Sequence, residues 1–398
     1  MSLLDSLPSQ QIIAWRRHLH QHPELSFQEV QTAAYIKDVL ETFPNLTITE
    51  PVENGIMAVL EGAHPGKTIA LRADIDALPV TEETDVPFKS ENDGIMHACG
   101  HDAHTAMLLG AVEVLTKMQD KIAGKVKFLF QPAEEMPPGG AKMLIEAGVL
   151  NDVDEIYGCH VVPMIPSGAI GKRVGAFSAN SDVFDLKIIG KGSHAMMPEA
   201  AIDPITIGAE IISTINNMVA RRISPLDNAV CSFGEFTSGQ AANVIPETAR
   251  IQGSVRTLKQ ETRLKLRSMI EGAIENITKM YGATYELQFD FGYSSVVNDK
   301  DCVDNVMEAA TQIVGEQAIF EVPQMLGGED FGMYTDVKPG AFFVLGVGTA
   351  EDGYKYINHN PKFDLDEKAL PVGTAVFVNT ILSISAKTLA GQEMAATN

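Results

Sequence analysis

A chain of 398 residues with 45% hydrophobic and 21% charged residues can bury a sizeable core, is long enough for two domains, and is neither disordered nor fibrous in composition. Thirty basic against fifty-two acidic residues leave a formal net charge of −22, which repels nucleic acid phosphates and anionic membranes, so neither is an expected partner. The opening Met-Ser-Leu-Leu-Asp-Ser-Leu-Pro lacks the basic and apolar parts of a secretory signal, and no apolar run reads as membrane-spanning, so a cytoplasmic protein is expected.

In chain order, residues 10–42 carry a helical apolar stripe that Pro23 interrupts and that Val30, Ala33, Ile36 and Leu40 resume. Strands are predicted over 55–61 and 68–72, the second running into Asp74 and Asp76, which share one side of an extended segment. His97-Ala98-Cys99-Gly100-His101-Asp102-Ala103-His104 then packs three imidazoles, a thiol and a carboxylate into eight residues. Helical spacing of Ala106, Leu108, Leu109, Val112 and Leu115 places that cluster at a helix N-terminus. A buried strand over 125–130 leads to Glu134-Glu135, and His160 lies at the end of the apolar run 156–161.

The alternation of strand and helix predicts an α/β domain with a mostly parallel sheet flanked by helices, whose sites form at the carboxyl ends of the strands. From about residue 178 the order becomes β-α-β-β-α-β, the plan of a ferredoxin-like α+β domain. The expected layout is therefore a first part over 1–178, an inserted domain over 179–293 and a second part of the first domain over 294–398. Within that last part fall the loop Gly327-Gly328-Glu329-Asp330-Phe331, an apolar strand, His359 and a final helix beyond Glu367.

Concentrated imidazole, thiol and carboxylate donors are most simply explained by divalent metal. Cys99, His101, Glu135, His160 and His359 make five candidate ligands, too many for one tetrahedral ion and suited to a pair about 3.5–4 Å apart. Successive side chains point to opposite sides, so of Glu134 and Glu135 one can bind metal while the other acts as a general base. His194, Asn243 and Arg256 of the inserted domain are candidates for holding an oxyanion or a substrate carboxylate.

These motifs, with His22-Pro23-Glu24-Leu25-Ser26, Arg72-Ala73-Asp74-Ile75-Asp76-Ala77-Leu78-Pro79, Gly192-Ser193-His194-Ala195 and Asn243-Val244-Ile245-Pro246, resemble the M20 metallopeptidase family over nearly the whole chain. The likeness is to its amidohydrolase branch of aminoacylases, hippurate hydrolases and auxin-conjugate hydrolases. The resemblance implies that Cys99, His101, Glu135, His160 and His359 bind two divalent ions (Zn, Mn, Co or Ni) and that Glu134 is the catalytic base. It also implies that Asp76 supports a ligand from behind, that the inserted domain is a lid and dimerisation surface of a homodimer or higher oligomer, and that the substrate is a small N-acyl amino acid. Other branches carry a histidine ligand where this chain has Asp74, so the roles of Asp74, Glu329 and Asp330 stay open.

The alternatives are a dipeptidase or carboxypeptidase of the same family, a cysteine hydrolase using Cys99 with His101, and a metal-storing protein without catalysis. His18, His20, His22, His97 and His104 read as hydrogen-bonded helix or loop histidines. Cys159, Cys231 and Cys302 read as reduced structural residues, and Met196 and Met197 as packing.

Overall fold

Proline cannot donate a helical hydrogen bond, and the stripe over 10–42 accordingly divides into α1 (Ser9–Gln21) and α2 (Val30–Glu41). The computed structural model describes residues 3–396. Two units emerge, one from Met1–Phe177, Val296–Pro323 and Asp330–Asn398, the other from Ser178–Ser295 and Gln324–Glu329.

The first unit is built on an eight-stranded sheet. Its strands β1 (Leu46–Val52), β2 (Gly55–Glu61), β3 (His64–Asp74), β4 (Ala123–Gln131) and β5 (Glu155–Val162) stand in the order β1-β2-β4-β3-β5, followed by Gly340–Gly346, Ile170–Lys172 and Ile319–Glu321. The centre of the sheet, from β4 to Gly340–Gly346, is parallel, so four carboxyl ends open on one side. Both faces are covered, as parallel sheets require. Leu71, Phe128, Tyr157 and Phe343 pack with Ile12, Ile36, Val306 and Phe377 of the flanking helices, whereas Ala70, Leu129, Ile156 and Phe342 pack with Leu144, Phe331 and Tyr334 on the other side. Such a side chain, fully buried, contributes about 1.5–3 kcal/mol relative to exposure. Strand β1 was not foreseen, because its half-exposed Leu-Thr-Ile-Thr-Glu-Pro-Val carries no buried run.

The final helix, Leu370–Ala396, corrects another expectation. The stretch Glu367–Ala395 is long and apolar enough to cross a membrane by length and composition, but 67% of its apolar window is buried inside the protein. Ala375, Val376, Phe377, Val378 and Ile381 join the main core, which accounts for its composition without a bilayer.

The second unit is a four-stranded antiparallel sheet in the order Ala229–Ser238, Thr248–Thr257, Asn180–Ile189, Thr284–Asp290. The helices Pro204–Arg222 and Gln260–Tyr281 cover one face, with Ile207, Ile211, Leu266 and Ile270 packed on Phe184, Leu186, Ile251 and Val255. Strand and helix order follow the ferredoxin-like plan. Gln324–Glu329 clusters with this unit through the Ala179 N–H, which donates to Gly327 O at 3.0 Å.

Candidate metal centre

Chemistry-bearing residues gather where the parallel strands end. Asp74 closes β3, Glu134 and Glu135 follow β4, and His160 lies near the end of β5. The helix α3 (His101–Thr116) starts beside them, entered through Gly100 at φ +98°. A Cβ at Gly100 would stand 2.4 Å from Val161 Cγ2, so only glycine brings Cys99 and His101 this close to β5. The return of His359 is a backbone matter. Its N–H donates to Ala98 O at 2.7 Å, and Asn358 Nδ2 donates to Cys99 O at 2.8 Å, pinning the 358–359 turn onto the cysteine loop.

The ligand atoms of Cys99, His101 and His160 lie within 4.8 Å of one another, as do those of Cys99, Glu135 and His359, and those of His101, Glu134 and Glu135. Cys99 belongs to two of these sets and Glu135 to two. Individual separations are 3.4 Å for Cys99 Sγ to His160 Nε2, 4.0 Å for His101 Nε2 to Glu135 Oε1 and 3.1 Å for His359 Nε2 to Glu135 Oε1. His359 is the outermost member, with a side chain 53% exposed.

The surroundings aim these donors inward. His101 Nδ1 donates to the Asp76 carbonyl at 2.9 Å, which turns Nε2 toward the cluster. His160 Nδ1 donates to Val161 O at 2.8 Å, again turning Nε2 to the cluster. Among the described residues, His101 Nε2 and Glu135 Oε1 are buried with no hydrogen bond, the 3.1 Å approach of His359 to the latter lacking hydrogen-bond alignment. Buried polar atoms are seldom left so, and two of them facing one gap fit a cation.

Electrostatics agree with that fit. Burial pushes the Cys99 thiol well above its ordinary value, reinforced by Glu135, Glu134 and Asp74. Without a cation Cys99 is therefore a poor nucleophile, which removes the support for a cysteine hydrolase. Burial lowers His160 to about 3, keeping it neutral with a lone pair to donate. For His101 burial is outweighed by the charge of Asp74 and the hydrogen bond to Asp76, and its value rises to about 10. A divalent ion held here would displace the protons of Cys99 and His101, so its binding would release protons.

Asp76 lies behind His101 and Glu135. Its Oδ1 is 3.1 Å from His101 Nδ1, and its Oδ2 accepts from the Glu135 N–H at 3.0 Å and Ser26 Oγ at 2.6 Å. Asp74 is tied to Arg72 Nη1 at 2.5 Å and His104 Nδ1 at 2.6 Å, while its Oδ2 lies 3.7 Å from His101 Nε2. Arg72 also reaches Asp330 at 2.7 Å and Gln131 Oε1 at 2.8 Å, so Asp330 and Asp74 share one guanidinium. The Asp330 N–H donates to Glu134 Oε1 at 3.4 Å. Glu329 belongs to the other unit.

Among the remaining histidines, His20 lies between Asp102 at 2.8 Å and Glu82 at 3.2 Å, and His104 accepts from the Val161 N–H at 2.9 Å. His97 departs from expectation. It is buried, and neither ring nitrogen has a hydrogen-bond partner among the described residues. Asp102 turns away from the cluster to Arg16, 2.8 Å away. Cys159 faces the core side of β5, opposite His160.

In the second unit, His194 and Asn243 are neighbours, since Val244 pairs with His194 and the Ala195 N–H donates to Asn243 O at 3.1 Å. Arg256 is hydrogen-bonded to Ser181 near the opposite end of Thr248–Thr257. Eight residues of strand separate it from Thr248, roughly 26 Å at the usual rise. The three residues grouped by sequence thus form a pair and a single one.

Comparison with known proteins decides the family: residues 70–383 match the peptidase family M20/M25/M40. This chain belongs to it. As a family member it is a hydrolase of amide bonds. It is 45% identical to the N-acyl-L-amino acid amidohydrolase of Geobacillus stearothermophilus over 72% of this chain and 78% of that one. It is 40% identical to thermostable carboxypeptidase 1 of Saccharolobus solfataricus, covering 91% and 92% of the two chains. The Bacillus subtilis YXEP protein, a dinuclear metal binding peptidase of the M20 family, superposes with a TM-score of 0.83 at 38% identity, covering 94% of this chain and 98% of that one.

Proposed function

We propose that this protein is a metal-dependent amidohydrolase that cleaves N-acyl amino acids. Cys99, His101, Glu135, His160 and His359 would hold two divalent ions from among Zn, Mn, Co and Ni. The observation that carries this reading is a pair of buried atoms without a hydrogen bond among the described residues, His101 Nε2 and Glu135 Oε1, 4.0 Å apart within the cluster of donors. Such ions would make a water molecule acidic enough to supply a nucleophile at neutral pH.

Glu134 is the base. It is 6% exposed, and its carboxylate lies within 4.8 Å of the ligand atoms of His101 and Glu135. Its carboxylate takes the proton from the attacking water and passes it to the leaving nitrogen, a step worth about 10²–10⁴-fold. Asp76 keeps His101 in the tautomer that points Nε2 inward. The second unit serves as lid and dimerisation surface, with His194, Asn243 and Arg256 binding substrate. One small N-acyl amino acid cannot span about 26 Å of strand. That separation supports a homodimer in which one copy supplies His194 and Asn243 and the other supplies Arg256.

Likeness to the Geobacillus amidohydrolase favours an acylated substrate, and likeness to the Saccharolobus carboxypeptidase supports peptide cleavage as the second reading. Chelation followed by re-addition of Zn²⁺, Mn²⁺, Co²⁺ or Ni²⁺ tests the first, assayed on N-acetyl and N-benzoyl amino acids beside dipeptides with free amino termini. Loss and recovery of acyl-amino-acid cleavage is expected. Hydrolysis indifferent to chelation would end the metal mechanism, and preference for free amino termini would move the assignment to peptides.

A further inference from the structure

The segment joining α1 to α2 contributes none of the five donors, yet it grips the Glu134–Glu135 turn from both sides. On one side Ser26 Oγ donates to Asp76 Oδ2 at 2.6 Å, and the same oxygen accepts from the Glu135 N–H at 3.0 Å. On the other side Glu29 Oε1 accepts from the Ala133 N–H at 2.7 Å. Ala133 is left-handed, at φ 52°, a conformation that residues with a Cβ seldom adopt unless held there. The turn is also closed from behind. The Gly140 N–H donates to Ala133 O at 3.1 Å, and a Cβ at Gly140 would sit 1.9 Å from Pro132 O.

Glu29 is fully buried, and among the described residues no lysine, arginine or histidine pairs with it. A carboxylate in such a place is costly without a task. Capping α2 is not that task. Glu24 already accepts from the Thr32 N–H at 2.8 Å, Thr32 Oγ1 at 2.9 Å and the Gln31 N–H at 3.2 Å. Asn54 Nδ2 donates to its second oxygen at 3.2 Å, and the backbone N–H groups of Glu29 and Phe27 add to its hydrogen bonding, while the first oxygen turns to Ala133.

We infer that Glu29 is a positioning residue, whose hydrogen bond to the Ala133 N–H fixes the left-handed turn that presents Glu134 and Glu135 to the metal centre. The inference rests on the roles assigned above to those two glutamates. What the turn needs is an acceptor at the right reach rather than a charge. Burial raises Glu29 to about 7, with the nearby charge of Asp76 adding to it, so a neutral group suits the site.

The test compares Glu29→Gln, which keeps the reach and loses the charge, with Glu29→Asp, which keeps the charge and loses the reach. Two readouts are taken on the full-length protein: the Zn²⁺ dissociation constant by competition with a chromophoric chelator, and kcat and KM on an N-acetyl amino acid. Glu29→Asp is expected to weaken Zn²⁺ binding and lower kcat by about 10–100-fold each, with KM within about threefold. Glu29→Gln should stay within about threefold of the parent in all three. Equal losses in both variants, or a Glu29→Asp variant that matches the parent, would overturn the inference. Should the parent cleave no N-acyl amino acid, the functional proposal fails, while the Zn²⁺ comparison still decides the role of Glu29.

Discussion

The strand ends of the first unit and the sheet of the second use polar residues in opposite ways. In the first unit, β4 and Gly340–Gly346 are buried nearly end to end, and Asp74, Asp76, Arg72, His101 and His104 are sealed beneath the surface. In the second, Thr248–Thr257 and Thr284–Asp290 alternate, with every other residue turned to the open face. There the Asp185–Arg250 pair is bathed in solvent, and Asp182–Arg263 is a buried exception. A sheet covered on both faces can desolvate an entire catalytic constellation, whereas a sheet covered on one face leaves most of its charges screened.

The largest way to break this contrast is Glu134→Ala. We expect kcat to fall by about 10²–10⁴-fold while metal content, measured by inductively coupled plasma mass spectrometry, remains near that of the parent. Loss of metal instead would show that the two glutamates have exchanged roles. For the second unit, His194→Ala and Arg256→Ala should each be nearly inactive, and unfolding and refolding the two together should restore activity in mixed dimers. No recovery would mean that one copy of the second unit acts alone.

Ion pairs sharpen the comparison further. Arg72→Met leaves Asp74 and Asp330 buried without their shared cation and should cost about 3–5 kcal/mol in urea unfolding. Arg250→Ala on the open face should leave the urea midpoint unchanged. A large effect of the second substitution would show that the open face is covered in solution.

The smallest effect concerns acid. Burial would raise Asp102, but the charge of Arg16 and the hydrogen bond from His20 outweigh it and hold its carboxyl far below the usual range. Its contribution to stability is therefore complete above the unfolded value of about 3.9 and is lost as pH falls from there toward the folded value. Urea midpoints should drop between pH 5 and pH 2, and Asp102→Asn should flatten that drop. An unchanged slope would show that Asp102 is not the group being titrated.

Periodicity and chemistry made much of this readable beforehand. The apolar runs 125–130 and 156–161 became β4 and β5, and Pro23 ended α1 because it removes a donor. Glu135 and His160 came together because their segments lie at the ends of the parallel strands β4 and β5 on one side. Other features left no local trace. The contacts of Ser26 and Glu29 could not be read because their partners, Asp76 and Ala133, are 50 and 104 positions away. The final helix looked only like an apolar stretch until burial on the core distinguished it from a membrane segment.

By itself the sequence determined the kinds of element, the alternation that makes a parallel sheet, and the stock of donors, since these depend on side-chain period and ligand chemistry within a few residues. Only the tertiary structure decided which nitrogen of His101 faces the cluster, that Arg72 is shared by Asp74 and Asp330, and that Arg256 stands apart from His194. Those outcomes depend on backbone carbonyls, burial and strand register brought together across long stretches of chain, where no local pattern can record them.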